Sequence, residues 1–296
     1  MINTMKRKKI RSSSIGFKIV SYVFLILFAL WVLIPFYVVL VTSVTSLEEL
    51  MSSMKFIWFP KSGLSAEGYR TVLFNDLLAY NGMSSILRGF INTIWMTVPT
   101  MLVSLFVSGL AAYAYSKLNF KGKNTIYMIQ LATMMMPGAV MTLPSYLYYD
   151  ALGWSNGPLP MLIPGMFGGA ATIFFLRQFF SGIPSDLIEA GKLDGMGYFA
   201  MYVKIMLPLS VPAYLAQGIF MFVGGYNNYM GPLLYLNNRP ELYTLQYALS
   251  QFQGIYGYDK SIVCASAVIA LVPIIAIYLA CQRFFIQGVA AAGLKG

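Results

Sequence analysis

Six long stretches of the chain carry no charged residue and are dominated by Leu, Ile, Val, Phe, Met and Ala. They cover residues 19–47, 89–116, 124–149, 151–176, 205–238 and 261–282, and each has at least 22 residues. A helix needs about 20 apolar residues to cross the hydrocarbon layer of a membrane. The pattern therefore predicts six transmembrane helices in an all-α polytopic membrane protein. A seventh stretch, 242–258, has 17 residues with several glutamines, and we expect it to be an extracytoplasmic loop.

Composition narrows the class of protein further. The chain has 296 residues, of which 58% are hydrophobic and only 10% are charged, and it contains no histidine. This balance excludes a soluble enzyme. The two cysteines, Cys264 and Cys281, share one apolar stretch at a spacing that fits neither a metal site nor a disulfide, so we interpret both as packing residues.

Basic residues give the orientation, because they collect on the cytoplasmic side of membrane proteins. With six crossings and an inner N-terminus, 14 of the 20 basic residues fall inside, and both termini are cytoplasmic. The net charge of +10 is then a topology signal, and nucleic-acid binding, the alternative, is not needed to explain it. The predicted segments are a basic tail (1–17), a first transmembrane helix (18–46), an extracytoplasmic segment (47–85), a membrane core (86–284) and a cytoplasmic tail (285–296).

Residues 182–208 form a predicted cytoplasmic loop of two short helices. Apolar positions at Ile183, Leu187, Ala190 and Leu193 recur at helical spacing, and Gly195 then ends the first helix. The second helix is predicted to run from Tyr198 to Met206 and to end at Pro208. An apolar helix face exposed beside the membrane indicates a binding partner for this loop. The alternative is an ordinary helix at the membrane interface.

The same loop carries a motif. The stretch Glu189-Ala190-Gly191-Lys192-Leu193-Asp194-Gly195, followed nine residues later by Ile205-Met206-Leu207-Pro208, resembles the EAA loop of ABC importer permeases, with Gly191 in place of the second alanine. The resemblance implies a type I ABC importer permease fold and a loop that contacts a partner ATPase. The implied contact residues are Glu189, Ala190, Gly191, Asp194, Gly195, Ile205, Leu207 and Pro208. Because glycine weakens a helix by roughly 0.5–1 kcal/mol relative to alanine, we expect Gly191 to make this joint less rigid.

Four further segments are similar to the second permease of carbohydrate importers of the maltose type, and to its LplC/YtcP-like branch. They are Phe175–Phe180, Pro232–Leu236, Leu242–Gln246 and Gln282–Ala290. The implied partners are a sister permease, two copies of a sugar-type ATPase, an extracytoplasmic solute-binding protein and the lipid of a bacterial plasma membrane. The resemblance also places the terminal Gly293–Gly296 at the ATPase interface, and the alternative is a frayed basic end.

The energy source is expected to lie in another subunit. The sequence has no G-x-x-x-x-G-K-[ST] phosphate-binding loop, so we predict that the chain is not an enzyme, binds no cofactor itself and relies on ATP and Mg²⁺ held by the partner ATPase. The six apolar stretches hold no ionisable residue for a proton relay. Two alternatives remain: an importer of the same architecture for glycerol phosphate or a peptide, and a channel or secondary transporter that acts alone.

Polar residues inside apolar stretches give the candidate translocation path, because unpaired amides are costly in a membrane. These candidates are Tyr226, Asn227, Asn228 and Tyr229. A helix bend is expected at Met134–Gly138, and it adds Met136 and Tyr146 as candidates. Aromatic residues Tyr243, Tyr247 and Tyr256 are candidate contacts for the solute-binding protein. Interhelical packing and an interfacial aromatic belt are the respective alternatives.

Overall fold

The computed structural model describes residues 15–53 and 57–293, with only the backbone described for residue 15 and residues 283–293. Residues 1–14 of the basic tail and the terminal residues 294–296 therefore lie outside the described residues, as do the side chains of most of the Gln282–Ala290 segment. The helices are α1 (Ile15–Ser43), α2 (Leu47–Ser52), α3 (Glu67–Phe74), α4 (Ser85–Lys117), α5 (Lys123–Thr133), α6 (Gly138–Ala151), α7 (Leu159–Met166), α8 (Ala170–Ser181), α9 (Asp186–Leu193), α10 (Tyr198–Met201), a π-helix (Tyr202–Met206), α11 (Leu207–Leu209), α12 (Val211–Tyr226), α13 (Met230–Tyr235), a 3₁₀-helix (Pro240–Leu242), α14 (Leu245–Tyr256) and α15 (Lys260–Gly293).

The membrane-spanning elements agree with the hydrophobic pattern. Four spans, at 16–43, 85–117, 159–181 and 260–282, are long and apolar enough to cross a membrane. Two bent helix pairs bring the number to six if each pair is one span. The first pair, α5 and α6, turns by 97° at the predicted Met134–Gly138 bend, where Pro137 precedes α6. In the second pair, the helical run 198–209 and α12 meet at 80°.

Helix α4 is the centre of the bundle. It packs against α7, α8, α12 and α14, and its buried positions include small residues that allow close contact. At Gly109 a side chain would overlap the hydroxyl groups of Tyr202 and Tyr214, so glycine is needed for these two tyrosines to reach the helix. The bundle is therefore organised around one long helix whose small residues set the distance to its neighbours.

Helix α1 differs from the other spans. None of its most hydrophobic window is buried within the chain, although α1 does pack against α15. It begins and ends three residues earlier than the predicted 18–46. Because aliphatic side chains in lipid are not exposed to water, a single helix with an open surface is compatible with a membrane environment.

The segment 242–258, predicted as a loop between spans, is largely helical. It contains helix α14, which is not among the helices long and apolar enough to cross a membrane. Leu245, Ala248, Phe252 and Tyr256 recur at three- and four-residue steps and are buried against α3, α4 and α15. The glutamines make this stretch more polar than the six spans, but they do not interrupt the helical period of its apolar face.

Candidate functional site

Residues 182–209 form a compact projection, which we call the knob. Lys117, the last residue of α4, donates a hydrogen bond from Nζ to the carbonyl oxygen of Ile183 and lies 3.5 Å from Ser185 Oγ. Helix α9 starts immediately afterwards at Asp186. The end of the central helix is thus tied directly to the start of the knob, a connection that the sequence pattern did not indicate.

Gly195 makes the turn between the two knob helices. Its φ of +73° is in the left-handed region, which residues with a side chain rarely adopt. The amide of Met196 donates to the carbonyl of Gly191 at 2.9 Å, and the amide of Gly195 donates to that of Lys192 at 3.0 Å. This pair of bonds is the Schellman motif that closes a helix C-terminus. The predicted helix end at Gly195 agrees with this geometry.

The inner face of the knob is packed against the bundle. Ile188, Met201, Tyr202 and Met206 are each at most 2% exposed, and they share one apolar cluster with residues of α4 and α8. The Tyr202 hydroxyl donates to the carbonyl of Phe106 on α4 at 3.0 Å and lies 2.9 Å from the Tyr214 hydroxyl. Displacement of the knob must therefore move α4 and α12 as well, since close-packed interiors transmit strain.

Gly191 has a different role from the one expected. It is buried, and a methyl group there would lie 3.1 Å from Ile205 Cδ1 and 3.2 Å from Met201 Cγ. The glycine lets α9 pack closely on the second half of the knob. The expectation of a less rigid joint considered only helix propensity, whereas tertiary packing fixes this position.

The outer face of the knob is open. Leu187, Leu193, Tyr198 and Phe199 are exposed, and Leu193 reaches 90%. The predicted contacts Glu189, Ala190, Asp194, Gly195 and Pro208 are also exposed, while Ile205 and Leu207 are half-buried. The apolar face predicted from Leu187, Ala190 and Leu193 thus lies on the outside, and the inward face is formed by Ile188 and Gly191. The sequence period found an apolar face but could not say which side it covers.

The knob does not end at Pro208 as expected. A π-helical turn covers Tyr202–Met206, in which the amide of Leu207 bonds to the carbonyl of Tyr202, and a last helical turn continues to Leu209. Proline has no amide hydrogen to donate to the carbonyl four residues earlier. A wider turn just before a proline, with Pro208 in the first turn of the next helix, accommodates this loss.

Comparison with known proteins identifies the family. Residues 77–291 match the family described as "Binding-protein-dependent transport system inner membrane component". The chain belongs to this family of transporter permeases. Its fold is that of a type I ABC importer permease, it is a multi-pass inner-membrane protein, and the match includes the whole knob.

Individual relatives are carbohydrate transport proteins by name. The permease is 30% identical over 280 residues to the arabinooligosaccharides transport system permease protein AraQ of Bacillus subtilis, covering 95% of this chain and 96% of the relative. It is also 30% identical to the polygalacturonan/rhamnogalacturonan transport system permease protein YtcP of Bacillus subtilis, covering 95% and 98%. A solved bacterial ABC transporter involved in the import of the acidic polysaccharide alginate has a chain with a TM-score of 0.79 and 25% identity, covering 94% of this permease and 100% of that chain.

The predicted path residues of the permease do not form one surface. Tyr226 is 2% exposed, and its hydroxyl donates to the carbonyl of Ala270 at 2.7 Å, so in this conformation it is a packing residue of the bundle. Asn227, Asn228 and Tyr229 are exposed beyond the end of α12. On the other helix pair, Met136 is exposed at the bend, and the half-buried Tyr146 stacks on Tyr235 at 6.0 Å between ring centroids.

Two of the three tyrosines predicted to contact the binding protein are buried. Tyr247 is 1% exposed and Tyr256 is 3% exposed, and burial raises the pKa of Tyr247 to about 12. The Tyr256 hydroxyl accepts a hydrogen bond from the amide of Leu77 at 2.8 Å. Both are therefore packing residues at the α14 end of the bundle, and the prediction that they contact a partner does not fit this structure. Tyr243, which packs edge-on against Tyr247, is half-buried.

Proposed function

We propose that this permease forms, together with a sister permease, the membrane path of an ATP-driven importer of carbohydrate, and that the outer face of the knob docks on a partner ATPase. The single observation that carries the docking is the exposed apolar surface of Leu187, Leu193, Tyr198 and Phe199 on an otherwise well-packed element. Several exposed large apolar side chains on one small element are typical of a protein interface.

The charges around this patch are consistent with a specific contact. Glu189 and Lys192 on α9, and Asp194 directly after it, are all exposed beside the apolar residues. An apolar centre with a polar rim is the usual composition of a protein interface. We infer that Glu189 supplies the charged contact and that the apolar residues supply most of the affinity, because exposed ion pairs contribute only about 0–1 kcal/mol.

Energy then reaches the membrane path through the packing of the inner face. Two ATPase copies would bind ATP and Mg²⁺, and their closure would move one knob on each permease. In this chain the Lys117 bond to Ile183 and the Tyr202 bond to Phe106 connect that movement to α4. This arrangement requires the knob and both termini to be cytoplasmic and the α13–α14 end to be extracytoplasmic, facing a solute-binding protein.

The carbohydrate part of the proposal rests on the relatives. Several of them carry names that specify oligosaccharides or polysaccharides as the transported solute, among them AraQ and YtcP, and the alginate importer has the same fold. We propose an oligosaccharide as the solute.

A charge reversal on the knob tests the docking. The permease would be purified with its sister permease, ATPase and binding protein, and ATPase activity would be measured with and without solute. Glu189→Lys should leave the permease in the membrane and reduce solute-stimulated ATPase activity, because the reversed charge replaces an attraction of up to about 1 kcal/mol with a repulsion of similar size. Glu48→Lys, an exposed glutamate at the opposite end of the bundle, is the matched control and should behave as wild type. Normal stimulation and co-purification in Glu189→Lys, and also in Leu193→Ala, which truncates a 90% exposed apolar side chain of the knob, would exclude the knob as the ATPase contact.

A further inference from the structure

A small cavity, open to the surface at the exposed Asn228, lies between α4, α7, α12, α13 and the start of α14. Its volume is about 120 Å³. Its polar lining is provided by Thr97, Thr100, Asn228 and Thr244. Only Asn228 was among the residues that the sequence indicated for the path. The cavity is large enough for several water molecules or for an edge of a sugar ring.

The cavity lies within the membrane-spanning part of α4. Thr97 and Thr100 are 12 and 15 residues from Ser85, the first residue of this helix. At a rise of 1.5 Å per residue they are roughly 18 to 23 Å along it, near its middle. On the other side, the amide of Leu245 donates to Thr93 Oγ1 at 2.9 Å, which holds the start of α14 beside this part of α4.

Thr244 borders the cavity and carries a buried hydroxyl group. Thr244 is 7% exposed, and its Oγ1, which is almost fully covered in this conformation, has no hydrogen-bond partner among the residues that the structure describes. The hydroxyl group therefore reaches a solute only after the side chain rotates toward the cavity. An unpaired buried hydroxyl costs about 1–3 kcal/mol, so such groups are rare unless a ligand or water satisfies them. Asn228 adds an amide whose oxygen accepts from the amide of Gly231 at 3.1 Å.

Glycines set the positions of the polar lining. A methyl group at Gly225 would overlap the side chain of Thr97, and a methyl group at Gly165 would lie 2.6 Å from Thr100 Cγ2. Both glycines therefore leave room for a threonine that borders the cavity. The sequence alone cannot indicate this, because the two glycines and the two threonines come from three different helices.

The rest of the lining is apolar and uncharged. Four methionines, Met96, Met101, Met161 and Met221, border the cavity, and no charged side chain among the described residues does so. Hydroxyl and amide groups suit the hydroxyl groups of a sugar, and thioether side chains adapt to the apolar face of a sugar ring. A carboxylate or phosphate would be desolvated here without an Arg or Lys to pair with it.

We propose that this cavity is a solute-binding subsite of the permease and that it accepts a neutral sugar residue in preference to a uronate or a sugar phosphate. Thr244 and Thr97 are the specificity-determining residues, and they hydrogen-bond to sugar hydroxyl groups as the solute passes. The inference rests on the proposed function, since it requires a carbohydrate importer. The inference predicts a neutral solute, like the arabinooligosaccharides named for AraQ, and not an acidic solute of the kind named for YtcP and the alginate importer.

The test uses the complete importer, reconstituted in vesicles with its sister permease, ATPase and binding protein. Uptake would be measured for a panel of neutral oligosaccharides (arabinose, glucose and galactose oligomers) and for oligogalacturonate and oligoalginate. We expect uptake from the neutral set. Thr244→Val and Thr97→Val should each lower uptake at low solute concentration by roughly 2- to 10-fold, the effect of one lost hydrogen bond.

A matched control and a stability measurement separate a solute contact from a structural role. Thr42→Val, on α1 and away from the cavity, should leave uptake unchanged. Because Thr244 Oγ1 has no partner in the described chain, Thr244→Val should not lower the melting temperature of the purified permease. A lowered melting temperature with unchanged uptake would make Thr244 structural and overturn the proposal.

The outcomes distinguish the subsite from the proposed function. Uptake of uronate oligomers alone would overturn the neutral subsite and leave a carbohydrate importer in place. Wild-type uptake of neutral oligosaccharides by both threonine variants would likewise overturn only the subsite. No uptake of any carbohydrate, with an importer that hydrolyses ATP, would overturn the proposed function and this inference with it.

Discussion

Leu193 offers the most direct measurement of what the outer face of the knob contributes. It is 90% exposed at the end of α9, next to the Gly195 turn, so its side chain adds little to the packing of the permease itself. If the knob docks on an ATPase, Leu193 exchanges water for an apolar contact. The substitution Leu193→Ala therefore changes the interface and leaves the fold intact.

The size of the effect follows from the area that docking can bury. Leu→Ala removes three carbon atoms, and burial of each contributes about 0.8 kcal/mol when complete, which gives an upper value of about 2.4 kcal/mol. Since about 1.4 kcal/mol corresponds to a factor of ten, the ATPase should bind roughly 50-fold more weakly if Leu193 is fully covered. Half coverage would reduce the factor to about sevenfold.

The affinity of the purified ATPase for the two-permease complex in nanodiscs is the appropriate measurement. Leu64→Ala is the matched control, because Leu64 is 81% exposed and lies in the segment before α3, at the predicted extracytoplasmic end. Phe199→Ala, 62% exposed on α10, should also weaken binding. If Leu193→Ala and Phe199→Ala both bind the ATPase within twofold of wild type, the apolar face is not the docking surface.

Three further predictions concern other parts of the permease. Gly195→Ala should destabilise the knob by about 1–2 kcal/mol, because residue 195 has a positive φ. Gly197→Ala is the control, since residue 197 has a φ of −69° and open space around it. Hydrogen exchange of the knob amides is the measurement, and equal protection in both variants would contradict the prediction. Tyr226→Phe should lower stability by about 0.5–1.5 kcal/mol because it removes the hydrogen bond to Ala270. The expected result is a lower melting temperature with unchanged solute affinity, and the reverse pattern would restore Tyr226 to the path. Hydrogen bonds, first from the amide of Lys61 and then from Ser62, lower the pKa of Glu49 from its ordinary value of 4.5. The ionised Glu49 therefore stabilises the folded loop at pH values above 4.5, and this contribution is lost as the pH falls through the lowered pKa. Amide exchange at Lys61 should rise in acid in the wild type. In Glu49→Gln it should be independent of pH after correction for intrinsic exchange.

Much of this architecture was accessible from the chain alone. Uncharged stretches long enough to span a membrane gave the six-span prediction, because burying a charge in hydrocarbon is expensive wherever it stands in the fold. The glycine and proline positions gave the Gly195 turn and the bend before α6, since both residues act on the backbone locally. The motif around Glu189 gave the family, which the match over residues 77–291 confirms.

The direction in which side chains face was decided only by tertiary structure. Leu187 and Ile188 are adjacent and both apolar, yet α4 and α8 cover only Ile188. Gly191 was expected to weaken its helix, but the structure places Met201 and Ile205 so close to it that glycine is what allows the packing. Tyr226, Tyr247 and Tyr256 are residues of a type that lines translocation paths or interfaces, yet in the structure all three are buried packing residues. The sequence by itself determined the spans, the turns and the family, which depend on local energies and length. Burial, and the cavity at Thr97 and Thr244, depend on which distant helices meet.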